Sequence, residues 1–441
     1  MKLYSILPSL LLTAALTLTV TACEDADTID YSASVSKPSG GITRRSNNSV
    51  RIADDSFFSY GGMRSRYLVV SRKSDMSDTI HVTGTADEND NYRTYYDLTG
   101  LQPGTTYYYA AGEYDGYGER LSGTSSFTTL DVQISITAID SITPSGATVY
   151  VDLQNVPESL HLPDNAYDSY YEHSFFSYVY LYLLKNGKAH FIGRTVRQDE
   201  TTFVGRIGAL APDGDYQIMA TLSAPDESAN TEKRYWVATS NAESLHTPAS
   251  EPAPAVDLGL SVMWAAWNVG ATNTSDPGCY FLYGQPEGLW NGFSQTDYDI
   301  CGVEGRDIAL THWGKGWRMP THAEIQELLE NCQVDYNSSD SRIYRLTSYN
   351  NGRSLQFPLS RYTRLTESAQ GIYAVSGEAF DYESWLLSGE RVNGQIAAYS
   401  LYNRYTSYLP DYTTEYDSDG NPFNWYYIFS VRPVYDPNLA E

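Results

Sequence analysis

The chain has 441 residues, a formal net charge of −25 and a pI near 4.5. That length accommodates about two to four domains, and the acidic balance leaves no basic face to displace the counterions of a nucleic acid, which excludes a nucleic-acid partner. Tyrosine is abundant, with 39 residues, and Tyr, Thr, Val and Ser dominate many short segments, which favours an all-β body.

The N-terminal segment has the pattern of an export signal. Lys2 supplies a short positive region, and the apolar run Leu10–Val20 is too short for a comfortable membrane span. The tetrapeptide Val20–Cys23 resembles the lipobox of bacterial lipoproteins. That resemblance implies that residues 1–22 are a lipoprotein signal peptide and that Cys23 is lipidated. The membrane is then a partner through an N-terminal lipid anchor, and several acyl chains make such an anchor durable.

Acidic residues follow the cysteine at once, and residues 23–30 are predicted to form an acidic tether. The cluster resembles the signal that sends Bacteroidetes lipoproteins to the outer face of the outer membrane. It therefore implies an outer-membrane location on the extracellular face. A solvated tether with no targeting role would carry the same pattern.

A corner motif appears twice in the middle of the chain. Residues 101–107 place a Pro-Gly turn before Tyr107, which opens a strand, and this resembles the E–F corner of fibronectin type III domains. Residues 210–216 repeat the Leu, Pro and Tyr at the same offsets, about one sandwich length later. We predict a fibronectin III-like domain at 31–130 and a divergent second one at 131–249, both acting as spacers. Asn186–Gly187 predicts a hairpin turn in the second.

Residues 250–255 contain two prolines and are predicted to be a stiff linker. The blocks that follow resemble the Fibrobacter succinogenes major paralogous domain, in order and spacing: 256–265, 283–287, 313–321, 328–332 and 429–434. The resemblance covers nearly all of 256–435 and assigns residues 256–441 to this domain. It implies the broader C-type-lectin-like fold. The fold class predicted for the whole chain is mainly β, with two tandem fibronectin III-like β-sandwiches followed by an α+β C-type-lectin-like domain.

Several residues of this domain have predicted structural roles. Thr321 and Glu324 have the spacing of a capping box at the start of a helix. The helix is predicted to bury one face, formed by Ile325, Leu328, Leu329 and Cys332. The predicted core or semi-core tryptophans are Trp264, Trp267, Trp313 and Trp317. Arg318 and Arg432 are predicted to be buried or semi-buried polar ties, with a role in the fold rather than in catalysis.

Three cysteines follow Cys23, so at least one is unpaired or pairs with another chain. Spacing alone does not identify a pair. Members of the resembled family often carry Cys where this chain has Trp267. That departure implies an orphaned Cys332 and leaves Cys279–Cys301 as the simplest disulfide.

Signals of catalysis or metal binding are poor, and we predict no enzyme, no metal and no cofactor. The cysteines do not match the reactive pair of formylglycine-generating enzymes. His312 and His322 are predicted to be surface or cap residues rather than metal ligands. Residues 285–287 resemble the calcium- and sugar-binding tripeptide of C-type lectins, but a structural turn is favoured. Residues 417–421 mimic a calcium loop, but Ile428 stands where a bidentate Glu is required, which favours a hairpin turn.

The predicted binding element is a tyrosine-rich stretch near the end of the chain. It contains Tyr399, Tyr402, Tyr405, Tyr408, Tyr412 and Tyr416. A tyrosine offers a flat apolar face and a hydroxyl, which suits sugar stacking or a protein contact, and the ligand-binding residues are predicted to be Tyr402, Tyr405, Tyr408 and Tyr412. Strand packing is the alternative role for these rings.

The predicted function is a lipid-anchored cell-surface protein that binds a glycan or a surface protein through its C-terminal domain. The alternative is a structural tip or accessory subunit of a surface fibre or complex. A hydrolase or modifying enzyme would require a convergent acid/base pair, which the sequence does not identify.

Overall fold

The computed structural model describes residues 35–55, 66–87, 93–114, 118–162, 176–226, 234–291, 296–337, 343–360, 363–368, 371–375, 384–416 and 422–439. The predicted signal peptide, Cys23 and the acidic tether lie outside these residues, as does the segment 417–421. The described chain is mainly β, as predicted. None of its helices has the length and apolar character needed to cross a membrane.

The first sandwich consists of antiparallel strands in two sheets. Its strands are β1 (Gly41–Arg45), β2 (Ser49–Asp54), β3 (Arg66–Ser71), β4 (Thr79–Thr83), β5 (Thr85–Ala86), β6 (Thr94–Thr99), β7 (Thr106–Tyr114), β8 (Glu119–Leu121) and β9 (Ser125–Thr128). One sheet has the order β1-β2-β6-β5, and the other has the order β4-β3-β7-β8 with β9 also paired to β7. Side chains that alternate inward, such as Ile52, Leu68 and Tyr96, fill the space between the sheets.

The second sandwich repeats this strand order. Its strands are β10 (Gln133–Thr143), β11 (Gly146–Gln154), β12 (Tyr178–Lys185), β13 (Lys188–Arg194), β14 (Val196–Arg197), β15 (Thr202–Ile207), β16 (Asp215–Pro225), β17 (Arg234–Thr239) and β18 (Glu243–His246). The sheets have the orders β10-β11-β15-β14 and β13-β12-β16-β17, with β18 also paired to β16. The predicted pair of tandem fibronectin III-like sandwiches is therefore confirmed.

The local signals that predicted the sandwiches have the expected geometry. The Tyr107 hydroxyl accepts a hydrogen bond from the Gln102 N–H at 2.9 Å, and the Tyr216 hydroxyl accepts one from the Ala211 N–H at 2.8 Å. Both bonds reach back five residues, which is the tyrosine corner of these sandwiches. Residues 186–187 join β12 to β13 with φ angles of 51° and 74°, as a type I′ hairpin turn requires.

The C-terminal domain has α+β character, as predicted. Its strands are β19 (Ala255–Val256), β20 (Met263–Ala265), β21 (Tyr280–Phe281), β22 (Trp317–Arg318), β23 (Cys332–Asn337), β24 (Ile343–Ser348), β25 (Ser354–Pro358), β26 (Thr363–Ser368), β27 (Gly371–Val375), β28 (Trp385–Val392), β29 (Gln395–Ser400), β30 (Thr406–Leu409), β31 (Tyr412–Tyr416), β32 (Pro422–Ser430) and β33 (Val434–Tyr435). Its helices are α1 (Ile308–Trp313) and α2 (His322–Asn331), with 3₁₀ turns at Leu289–Asn291 and Pro437–Leu439.

Four small sheets surround two apolar clusters in this domain. Their strand orders are β19-β20-β33-β22, β21-β32-β26-β27 with β31 also on β32, β23-β24-β25 and β28-β29-β30. Strand β29 lies between the clusters, because Ala398 faces one of them and Tyr399 faces the other. The predicted core tryptophans Trp264, Trp313 and Trp317 are buried, whereas Trp267 is half-buried.

Helix α2 begins at the predicted capping box. The Thr321 hydroxyl accepts from the Glu324 N–H at 3.2 Å, and the Glu324 carboxylate accepts from the Thr321 N–H at 2.8 Å. Ile325, Leu328 and Cys332 are fully buried on the predicted face, with Leu329 half-buried at its margin.

Arg432, one of the two predicted polar ties, is buried and forms no ion pair with a carboxylate of the described residues. Its Nε donates to Asn268 Oδ1 at 2.6 Å, and its Nη atoms donate to three backbone carbonyls at 2.9–3.0 Å, those of residues 265, 266 and 356. The guanidinium carbon lies 4.1 Å from the centroid of the Phe357 ring. Burial lowers the pKa of Arg432 to about 9, so the group remains charged at neutral pH.

The second sandwich and the C-terminal domain share one apolar core. Leu289 and Trp290 belong to the same buried cluster as the inward residues of the second sandwich. The Trp290 indole N–H donates to the Ala209 carbonyl at 2.8 Å. A Cβ at Gly288 would lie 2.5 Å from the Ala211 Cβ, so this contact requires glycine. The two units therefore meet through a packed interface.

The segment predicted as a stiff linker, 250–255, is part of this interface. The Ser250 hydroxyl is buried and accepts from the Gly270 N–H at 2.7 Å and from the Trp313 indole N–H at 2.8 Å. The Pro254 carbonyl accepts from the Ala266 N–H, and Ala253 is buried. The segment therefore packs between the second sandwich and the C-terminal domain and does not separate them.

The predicted Cys279–Cys301 disulfide is absent, because both thiols are free in the structure. Cys279 donates to the Pro144 carbonyl of the second sandwich at 3.3 Å, whereas Cys301 donates to the Met319 carbonyl at 3.2 Å. The two sulfurs thus point to different partners. Cys332 is also free, and it is buried among apolar side chains.

Candidate functional site

The tyrosine-rich stretch contributes the densest group of exposed aromatic side chains in the described residues. Its exposed members are Tyr402, Tyr405, Tyr408, Tyr412 and Tyr416, each between 42% and 69% exposed. Tyr399 differs from them and is buried in the core. Strand packing, the alternative role, therefore describes Tyr399, whereas the other five rings are partly exposed.

Strand β31 presents two of these rings on one face. Thr413 and Glu415 point to the opposite face, where they bond Tyr427 at 3.0 Å and the Trp425 indole at 2.7 Å. Because side chains alternate along a strand, Tyr412 and Tyr416 share the outward face. These side-chain bonds to β32 fix the position of β31, the strand that carries Tyr412 and Tyr416.

The outward face of β31 continues toward the second sandwich. Tyr412 lies opposite Tyr426 on β32, with ring centroids 6.0 Å apart. Tyr426 in turn packs against the cluster shared with the second sandwich. The tyrosine surface therefore starts at the junction of the two units.

Tyr408 belongs to a different sheet, and Tyr405 directly precedes its strand β30. Tyr408 lies opposite Ala397 on β29, so it projects on the same face as the buried Tyr399. Tyr405 packs edge-on against the buried Trp385, with ring centroids 5.6 Å apart. Tyr402 occupies the turn between β29 and β30. The predicted residues are thus divided between the β28-β29-β30 sheet and the β31-β32 pair.

One arginine holds the turn that connects these two parts. Arg391 on β28 is buried and forms an ion pair with Asp411, between Tyr408 and Tyr412. It also donates to the Thr296 carbonyl at 2.5 and 3.0 Å and lies over the Tyr283 ring, 4.8 Å from its centroid. The position of the turn therefore depends on a side chain from the domain interior.

The other sequence candidates have structural roles. Gln285 is buried and donates to the Gly288 carbonyl of its own turn at 3.3 Å. A ring nitrogen of His312 bonds the Pro286 carbonyl at 2.9 Å, and burial lowers the pKa of this histidine. His322 lies at the start of α2, and its ring centroid is 5.5 Å from that of Tyr399. The described residues contain no group of three or more His, Cys, Asp or Glu side chains suited to a metal.

The second sandwich carries an aromatic layer on the outer face of β12. Tyr178, Tyr180 and Tyr182 alternate with core residues along β12 and cover its outer face. The guanidinium carbon of Arg234 lies 5.0 Å from the Tyr178 centroid, and Trp236 lies 5.3 Å from the Tyr182 ring. The sequence signal for this layer is a tyrosine at every second position of β12. These rings pack mainly on one another and on neighbouring aromatic and arginine side chains.

Comparison with solved structures finds domains of the fibronectin type III class. The FN1–FN3 domains of chicken CNTN1 match with 13% identity and a TM-score of 0.25, covering 49% of this chain and 65% of that one. A two-domain fibronectin type III segment of chicken tenascin matches with 15% identity and a TM-score of 0.18, covering 48% and 98%. No family model and no curated protein matches the chain. The strand orders and tyrosine corners identify its first two domains as fibronectin III-like.

Proposed function

We propose that this chain is a lipid-anchored surface lipoprotein of the outer membrane, whose C-terminal domain binds a glycan or a surface protein. The observation that carries the binding role is the group of five exposed tyrosines between residues 402 and 416. Soluble proteins seldom expose contiguous apolar surface without a partner. Tyrosine is also enriched at recognition surfaces, because it combines a rigid apolar ring with a hydroxyl.

The anchor and the family assignment of the C-terminal domain rest on sequence motifs. The tetrapeptide Val20–Cys23 supports lipidation, and the blocks between 256 and 435 support a Fibrobacter succinogenes major paralogous domain of the kind found in Bacteroidetes surface lipoproteins. Cys23→Ser is expected to move the protein from the membrane fraction to the soluble fraction of its native host. Unchanged membrane retention would refute the anchor.

The binding role is tested with the chain lacking its signal peptide. Residues 256–441 alone would expose Trp290 and the rest of the shared core, so the second sandwich must be kept. We expect the purified chain to bind immobilised glycans on an array. Tyr408→Ala and Tyr412→Ala are expected to weaken that binding at least about tenfold, the effect of losing one aromatic hot spot.

Tyr349→Ala is the matched control, because Tyr349 is 64% exposed in the same domain but lies outside the tyrosine-rich stretch. Equal effects of Tyr349→Ala and Tyr412→Ala would refute the assigned surface. A silent array combined with a stoichiometric protein partner recovered from the native membrane would favour the alternative, a tip or accessory subunit of a surface fibre.

A further inference from the structure

A second surface lies between the two sandwiches, where a cleft of about 310 Å³ opens. One wall is β1 of the first sandwich, which is an edge strand and pairs with β2 alone among the described strands. The other wall comes from the second sandwich and includes Ser159, His161, Ser177 and Tyr235. The volume falls within the range of about 300–1,000 Å³ that is typical of small-ligand sites, which occur preferentially at domain interfaces.

The walls of the cleft are held in place by bonds between the domains. Asn47 exchanges side-chain hydrogen bonds with the Val132 backbone at 2.8 and 3.0 Å, and its N–H donates to the Val237 carbonyl at 3.0 Å. Arg44 forms an ion pair with Asp226, which is buried. The cleft is therefore formed before any ligand arrives, which lowers the entropy lost on binding.

The lining of the cleft is rich in hydrogen-bond donors. Arg44, Arg45, His161 and the hydroxyls of Ser159 and Ser177 contribute to it, and none of the described lining residues carries a carboxylate. This is unusual in a chain with 54 acidic and 29 basic residues. Such a surface favours a ligand that offers many acceptor oxygens and a negative charge.

Arg45 is the candidate cation for that charge among the lining residues. Its side chain is exposed and makes no ion pair with any described residue, whereas Arg44 is already bonded to Asp226. The Arg45 N–H donates to the Tyr235 hydroxyl at 3.3 Å, which joins its strand to the opposite wall. A planar guanidinium matches a carboxylate in two parallel hydrogen bonds.

We propose that this cleft binds a sugar that carries a carboxylate, a hexuronic acid, with Arg45 pairing to the carboxylate and the serine hydroxyls bonding the ring hydroxyls. Apolar residues at the cleft, Leu160 and Pro225, supply contact area for the carbon face of the ring. The first two domains then present a ligand site of their own, in addition to the tyrosine surface of the C-terminal domain.

The test is isothermal titration of the chain without its signal peptide, using galacturonic acid, a short oligogalacturonide and neutral galactose. We expect the acidic sugars to bind and galactose to bind at least about tenfold more weakly, the effect of losing a charge-assisted hydrogen bond. Binding of the free monosaccharide indicates a monomeric ligand, whereas binding of the oligomer alone indicates an acidic polysaccharide as its source.

Arg45→Glu is expected to reduce acidic-sugar binding at least about tenfold, because it reverses the charge at the cleft. Arg206→Glu is the control, since Arg206 is an exposed arginine of the second sandwich that does not line the cleft. The tyrosine-surface variants are expected to leave this binding unchanged. No saturable binding of either acidic sugar at millimolar concentration, or equal affinities of Arg45→Glu and the unmodified chain, would overturn the proposal.

Discussion

Arg391 and Asp411 form an ion pair that joins the interior of the C-terminal domain to its tyrosine surface. The Arg391 side chain is 4% exposed and that of Asp411 is 29% exposed. Asp411 lies in the short turn between β30 and β31, so the pair sets how Tyr408 and Tyr412 lie relative to each other. The display of the tyrosines therefore depends on a buried cation.

The first prediction tests this dependence with Asp411→Asn. The substitution keeps the size of the side chain but removes its charge, and we expect a loss of about 1–2 kcal/mol in unfolding free energy. Urea denaturation measures this loss. Ligand binding by the tyrosine surface should weaken with it. Asp257→Asn is the control, because Asp257 and Arg353 are exposed and lie 3.9 Å apart. If the control loses as much stability as Asp411→Asn, the Arg391 pair has no special role.

The second prediction concerns the two tyrosine corners. Tyr107→Phe and Tyr216→Phe each remove a hydroxyl that accepts a backbone N–H, and each should lower stability by about 1–3 kcal/mol. Burial raises the pKa of Tyr216 to about 12, so this hydroxyl stays neutral at physiological pH. Thermal unfolding should show Tyr107→Phe affecting the first sandwich. Tyr216→Phe should affect the unit formed by the second sandwich and the C-terminal domain. If only one of the two variants loses stability, the repeated corners do not stabilise their domains equally.

The third prediction addresses the junction between the second sandwich and the C-terminal domain. Because they share a core, we expect them to unfold in one calorimetric transition. Trp290→Ala removes a buried indole and its bond to Ala209, and should cost about 3–5 kcal/mol. The single transition should then split into two. Trp236→Ala, at an exposed tryptophan of the second sandwich, should leave the joint transition of these two domains intact. Separate transitions for the second sandwich and the C-terminal domain in the unmodified chain would contradict a cooperative junction.

The features that the sequence predicted correctly depend on contacts between near neighbours. The tyrosine corner bonds residues five apart, and the capping box joins Thr321 to Glu324. The Asn186–Gly187 turn depends only on the φ angles that these residues tolerate. Such patterns can be recognised in the sequence because all the interacting residues lie within one turn or corner.

The features that the sequence did not predict depend on partners far along the chain. The prolines of 250–255 predict a linker, but the Ser250 hydroxyl is fixed by Trp313, 63 residues away. The family resemblance implies a disulfide at Cys279, but its thiol donates to the Pro144 carbonyl, 135 residues away. Tyr399 was not separable from the exposed tyrosines, because its burial follows from the register of β29 between two clusters. The cleft between the sandwiches likewise has no local signal.

The fourth prediction is a pH dependence at the start of α2. Burial raises the pKa of Glu324, but hydrogen bonds from Arg318 and Thr321 outweigh it and lower this pKa below its ordinary value. A carboxyl with a depressed folded-state pKa stabilises the protein above its unfolded pKa of about 4.3, and that contribution is lost as pH falls through the folded-state pKa.

Acidification below about pH 4.3 should therefore destabilise the C-terminal domain. Glu324→Gln retains a capping box but lacks the charge, so its stability should be lower at pH 7 and should change less on acidification. Urea midpoints measured across this range test the difference. Parallel pH profiles of the unmodified protein and the variant would show that the Glu324 charge does not contribute.

The fifth prediction concerns the buried guanidinium of Arg432. Lysine at this position keeps the positive charge, but its ammonium has three donors at one point and does not reproduce a planar fork. Arg432→Lys should leave Asn268 Oδ1 or a carbonyl such as that of Gln356 without a donor, at about 1–3 kcal/mol for each buried group. The midpoint of thermal unfolding should fall. Arg206→Lys, at an exposed arginine, should leave it unchanged. Since Arg432 links β25 to the segment 265–268, an unchanged midpoint in Arg432→Lys would mean that charge at this position, and not the geometry of the fork, holds the two together.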